Sequence, residues 1–156
     1  MQDKKQKHLG EILIEKGLIK EEDLEGALEE QKKTKEFLGA ILVRNNLIEE
    51  KDLLQALCEH FGMELGSLEN KYIDWGLVGR FSSSLVLEND CFPLSQEGNL
   101  VIMAITDPLN AWAQKKAEIE ARGIKLKFVL VSAQDMREAK ERYLRFLRSG
   151  IDRLLE

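Results

Sequence analysis

Apolar residues recur at three-and-four spacing in two segments near the start of the chain. Leu9, Ile12 and Leu13 make one run; Leu24, Ala27, Leu28 and the closing Gln31 make the next. Such spacing puts side chains on one face of a helix, so the segment reads as helix, tight turn, helix. Gly17 sits where the first helix must end, since glycine takes the left-handed cap conformation without a Cβ clash. Glu21, Glu22 and Asp23 then place negative charge in the first turn of the second helix, where the helix dipole favours it. The whole pattern returns at an offset of 29, so that His8–Gln31 lies over Phe37–His60. Leu38, Ile41 and Leu42 repeat the first run, and Leu53, Ala56 and Leu57 the second, with Asn46 in place of the stopping glycine. An internal repeat sets architecture before any other feature. Two copies are too few for a solenoid and suit a two-fold-like helical unit with one shared core. Lys32 to Lys35 reads as a solvated link between them.

After His60 the periodicity is lost. Gly62, Gly66, Gly76, Gly79 and Ser82 to Ser84 mark a connector with at most one short helix near Trp75–Phe81, and a boundary near Gly66. The expected domains are residues 1–66 and 67–156. Trp75 and Tyr72 read as packing anchors of the connector rather than a base-stacking platform. Two apolar runs, 91–95 and 99–105, flank Gln96-Glu97-Gly98 as a hairpin. Thr106-Asp107-Pro108 opens a helix that runs to Arg122 and stops at Gly123. Lys125 to Val131 is a third strand. Ser132 caps a last helix through about Leu147, with Asp135 placed as in a capping box. The fold class is α+β: two helix-turn-helix repeats, then a small β-β-α-β-α subdomain. Beyond Leu147 an apolar stripe continues past Gly150. It reads as a helix extension packed on its own domain, with a short partner-binding helix as the alternative.

Composition narrows the function. The content is 44% hydrophobic and 33% charged, ordinary for a soluble globular chain. A net charge of −5 argues against broad DNA or RNA binding, which needs a basic surface. Cys58 and Cys91 form no CxxC pattern and read as reduced, mostly buried thiols. No apolar run approaches the roughly 20 residues a membrane span needs, and the opening MQDKKQKH lacks the apolar region of a signal peptide. These features predict a cytoplasmic protein without membrane insertion. No catalytic triad, metal-ligand cluster or GxxxxGK[ST] loop occurs, so the chain reads as no enzyme and as needing no cofactor. The acidic pairs Glu21-Glu22 and Glu29-Glu30 read as solvated helix charges, and His8 and His60 as surface or interface histidines.

The repeated LG-x-IL(I/V)…LI…DL-x-x-AL pattern, followed by FPL, LVIMAITDPLN and KFVLVSAQDMREAKERYL, resembles the MshEN-type domain found at the N-terminus of type II secretion and type IV pilus assembly ATPases. The resemblance spans residues 8–145. It implies a regulatory domain that in some members binds cyclic di-GMP, and in others docks onto inner-membrane partners of the secretion machine. The implied ligand contacts are His8, Leu9, Gly10, Leu24, Leu28 and Gln31 in the first repeat, Leu38, Gly39, Leu53 and Leu57 in the second, and Asp107 from the following subdomain. Helix starts at Leu9-Gly10 and Leu38-Gly39 would offer N–H groups to a phosphate, the leucines would face the purines, and Gln31 can pair with a base edge. The polar half of the pattern departs from the family. The first motif position carries arginine there, and here His8 and Phe37. His8 is cationic only below about pH 6.5, and Phe37 can stack but cannot pair with a phosphate. Two functions follow: a cyclic-di-GMP-responsive regulatory module, or a protein-docking adaptor of a secretion or pilus system, peripheral to the inner membrane through that partner.

Overall fold

A computed structural model describes residues 9–69 and 71–155. They divide into two compact units, meeting between Met63 and Glu64.

The N-terminal unit is four helices: α1 (Leu9–Glu15), α2 (Glu21–Thr34), α3 (Leu38–Arg44) and α4 (Glu50–Phe61). Leu9, Ile12 and Leu13 are buried from α1, as are Leu38, Ile41 and Leu42 from α3. Both short helices end alike. Gly17 has φ 72° and Asn46 φ 59°. The next residues, Leu18 and Leu47, donate back to the carbonyls of Leu13 and Leu42, each at 3.0 Å. This 6→1 bond closes a left-handed helix end, and asparagine is the next best residue after glycine to accept it. Ile19 and Ile48 then turn inward and are buried. α2 runs through Thr34, so only Lys35, Glu36 and Phe37 link the repeats, a shorter connection than the lysine run suggests.

The repeats exchange partners. α1 packs on α4 and α2 on α3, the first helix of each copy against the second helix of the other. Lys16 Nζ reaches Glu59 Oε2 at 2.8 Å. One repeat-length away, Asn45 Nδ2 donates to Glu30 Oε1 at 3.4 Å. Lys16 aligns with Asn45 and Glu59 with Glu30, so one contact is made twice about a local two-fold.

The C-terminal unit contains α5 (Trp75–Val78), α6 (Ser83–Leu87), β1 (Cys91–Glu97), β2 (Leu100–Ile105), α7 (Ala111–Ala121), β3 (Lys125–Leu130) and α8 (Ala133–Leu155). The strand order is β1-β2-β3, antiparallel then parallel, with α7 as the crossover between the parallel pair. β1 runs two residues into the expected turn Gln96-Glu97-Gly98, and the observed turn is Gly98-Asn99. Leu130 N–H donates to Glu64 O at 2.9 Å and Gly66 N–H to Leu130 O at 2.7 Å, so a single residue, Leu65, pairs with the outer edge of β3. The core gathers Ile73, Val78, Val86, Phe92, Ala104, Val131, Met136 and Tyr143. Trp75 lies edge-on to Phe92 and stacks on Phe146, with ring centroids 4.6 Å apart. It is the anchor the sequence suggests.

Tyr72 is no anchor: it is 88% exposed, because its neighbour Ile73 points inward. The serine run is no plain connector. Ser82 Oγ accepts from Leu85 N–H at 3.1 Å and so caps α6, a second helix that the glycine and serine content masks. Pro108 does not open α7. Asp107 Oδ1 accepts from Leu109 N–H at 2.9 Å, the chain turns, and Asn110 caps the helix through Ala113 N–H at 3.0 Å. In α8, Ser132 Oγ accepts from Asp135 N–H at 3.0 Å. Asp135 Oδ2 turns away from the capping box and accepts from Leu68 N–H at 2.9 Å, tying the start of the unit to its last helix. α8 runs through Gly150 to Leu155, well past Leu147, and its last turns are exposed rather than packed. Among the described residues no helix is long and apolar enough to cross a membrane.

Candidate functional site

The first-repeat candidates Leu9, Gly10, Leu24, Leu28 and Gln31 lie on α1 and α2. Leu9 and Gly10 are buried at the start of α1. A Cβ on Gly10 would lie 2.3 Å from Leu24 Cδ1. The glycine therefore admits the leucine of the following helix, and the close approach is between two parts of the chain itself. Leu24 is half-buried there, while Leu28, one turn further along α2, is 38% exposed. Gln31 closes the repeat by donating from Nε2 to Glu36 O at 3.1 Å, which fixes the inter-repeat link. His8 lies outside the described residues.

The second-repeat candidates Leu38, Gly39, Leu53 and Leu57 lie on α3 and α4, and this copy is closed. Leu53 and Leu57 are 5% and 1% exposed. A Cβ on Gly39 would lie 2.8 Å from Leu53 Cδ2 and 2.8 Å from Phe37 Cε1. The Phe37 ring thus lies over Gly39 from the outside while Leu53 packs from the inside. Copy one presents an apolar side chain at Leu28, and copy two buries the equivalent Leu57.

A charge cluster joins the copies. Arg44 bonds both Glu30 and Glu36, the latter at 2.5 Å between Nη1 and Oε2. The Arg44 hydrogen bond holds the Glu36 carboxyl below its usual range. Glu59 is likewise lowered, by Lys16 first and then by Gln55. Glu30 is therefore a paired group, not a solvated one. Arg44 escapes a reading of the repeat because it aligns with Glu15; its place at the end of α3, facing the acidic end of α2, is the signal that could have found it.

Asp107 belongs to the C-terminal unit, in the turn between β2 and α7. Burial raises its carboxyl pKa, partly offset by the Leu109 N–H it accepts. The same unit holds a cleft of about 690 Å³ beside α8, with the exposed Tyr72, and with Lys71 and Arg142 set against Glu69 and Glu138. Cys91 is fully buried and Cys58 partly so; both are free thiols. Burial, with a smaller repulsion from Glu120, pushes Cys91 up to about 12. Among the described residues no three His, Cys, Asp or Glu side chains group as metal ligands would.

The sequence profile of the MshEN domain matches residues 61–150, which is more than half of the chain and nearly all of the C-terminal unit. The chain is also similar to a solved structure of MshE with cdg: the TM-score is 0.75 and the identity 25%, covering 88% of this chain and 99% of that one. It shares its fold with the N-terminal domain of XpsE, with a TM-score of 0.67 and 21% identity over 86% of this chain and 92% of that one. No curated protein sequence matches it. The profile match lies on the sheet and its helices, and the two structural matches span nearly the whole chain. The chain belongs to the MshEN domain family.

Proposed function

We propose that the chain is a non-catalytic regulatory module that binds cyclic di-GMP, with its first repeat as the principal contact. The observation that carries this reading is the similarity to MshE with cdg, read as cyclic di-GMP, over 88% of the chain. Leu28 supplies an exposed apolar side chain for a purine face, on the same helix as Gln31. Leu9, Gly10 and Leu24 shape that side of the unit, and His8, which precedes Leu9 in the sequence, is the candidate cation. Leu38, Gly39, Leu53 and Leu57 serve the second repeat as scaffold, and Asp107 is a separate candidate contact on the C-terminal unit. Calorimetry with cyclic di-GMP at low salt tests this. Binding is expected to be stronger at pH 6 than at pH 8, because protonated His8 replaces the family's arginine. Leu28→Glu is expected to weaken binding at least about tenfold, the loss of one apolar contact of about 1.4 kcal/mol, with far-UV circular dichroism checking that the helices are kept. Absence of heat at both pH values overturns the reading.

A docking adaptor without nucleotide is the second reading. The Phe37 ring over Gly39 favours it, since it covers the helix start that a phosphate would approach in copy two. Phe37→Arg separates the two. Under the first reading it adds a forked cation at the family's arginine position and tightens cyclic di-GMP binding; under the second it creates none.

A further inference from the structure

α8 has two halves. Its first half buries Met136, Ala139 and Tyr143 against the sheet. From Leu144 to Leu155 every side chain is exposed. At 3.6 residues per turn, Leu144, Leu147, Ile151, Leu154 and Leu155 fall within an arc of about 100°. Leu154 and Leu155 are 87% and 81% exposed. A continuous apolar stripe left in water marks an interaction surface. The stripe has a fixed root, because Phe146 stacks on Trp75 with the rings nearly parallel at 4°.

The charges around it differ from the rest of the chain. Within residues 144–155, Arg145, Arg148 and Arg153 outnumber the one acidic residue, Asp152, a positive excess in a chain of net charge −5. Arg142 Nη1 donates to Lys71 O at 3.2 Å and belongs to the body of the unit. Arg145, Arg148 and Arg153 are exposed on the helix outside the apolar arc. An apolar stripe with Arg148 at one edge and Arg145 and Arg153 on the polar side is the pattern of a helix lying in a lipid interface, where the guanidinium groups reach headgroup phosphates.

We propose that residues 144–155 dock this unit on an anionic bilayer surface, with the stripe at the acyl boundary and the three arginines at the phosphates. The segment is about 18 Å long at 1.5 Å per residue, too short to span the roughly 30 Å hydrocarbon core. A second copy fits less well. The stripe covers fewer than two heptads where a coiled coil sustains about three to four, and self-pairing would bring arginines together. The last three stripe residues also lie beyond residue 150, where the family match ends.

Co-sedimentation of the full chain with vesicles, without nucleotide, tests the proposal. Expected is binding to equimolar phosphatidylcholine–phosphatidylglycerol vesicles at least about tenfold tighter than to phosphatidylcholine alone, and weakened by salt, since each arginine near such a surface adds to the attraction. Leu147→Glu with Ile151→Glu should abolish binding to both. Arg145→Gln, Arg148→Gln and Arg153→Gln together should remove the anionic preference alone. All five positions are exposed, and far-UV circular dichroism checks that each variant stays folded. No binding to anionic vesicles at low salt, or equal binding to neutral ones, overturns the proposal. So does a concentration-dependent dimer abolished by Ile151→Glu, which would give the stripe to a second copy. None of these outcomes depends on whether cyclic di-GMP binds.

Discussion

At the residue scale, the motif glycines are packing residues. Gly10 has no room for a methyl group because Leu24 fills it, whereas a Cβ on Gly26 would meet nothing within 4 Å. Gly10→Ala is therefore expected to destabilise the N-terminal unit by about 1–3 kcal/mol through overpacking. Gly26→Ala in the interior of α2 should stabilise it by about 0.5–1 kcal/mol. Urea unfolding followed by far-UV circular dichroism distinguishes opposite signs for the same chemical change. Asp107 gives a pH signature. Its folded pKa is raised by burial, so ionised Asp107 opposes folding at neutral pH. That penalty disappears as pH falls through the folded pKa towards the unfolded value of about 3.9. Asp107→Asn keeps the acceptor for Leu109 N–H and is expected to be the more stable protein at pH 7. Its advantage should shrink as pH falls; an advantage that grew on acidification would contradict this sign.

At the scale of elements, the helices of the repeats were legible because three signals agreed. The apolar spacing, the acidic first turns and the Gly17 or Asn46 stops all pointed to the same boundaries. The sheet was legible from its apolar runs and from Gly98. What failed did so where a polar side chain acts at a distance its sequence neighbours do not reveal. Ser82 reads as connector, and its hydroxyl caps α6 while also donating to Glu120 Oε2 at 2.8 Å, on a helix far along the chain. Pro108 reads as a helix start, but Asp107 makes a turn with Leu109 and the start passes to Asn110. The stretch beyond Leu147 reads as an extension packed on its own domain, whereas the helix runs on exposed through Gly150 at a propensity loss of about 1 kcal/mol. For the candidate site, the motif gave positions but not exposure. Leu28 and Leu57 occupy the same place in the repeat, and only the burial around each separates a partly exposed side chain from one in the core.

At the scale of the molecule, the two units have separate cores and unequal chromophores. Trp75 and Trp112 both lie in the C-terminal unit. Tryptophan fluorescence therefore reports that unit alone, whereas far-UV circular dichroism reports the helices of both. Two compact units joined by one chain crossing are expected to unfold at different urea midpoints, so the two probes should give non-coincident transitions. Coincident curves would argue for one cooperative body. The exchange of helices between the repeats has a further consequence. Within a repeat Leu24 packs on Gly10 and Leu53 on Gly39, but the larger helix contacts are made with the other copy. Cut between Glu36 and Phe37, the N-terminal unit should behave as a heterodimer: residues 1–36 and 37–63, each unfolded alone, are expected to complement one another and regain helix only when mixed. A single ancestral repeat built this way would have been an obligate partner to its own twin, and duplication in one chain would have turned that association into a fold.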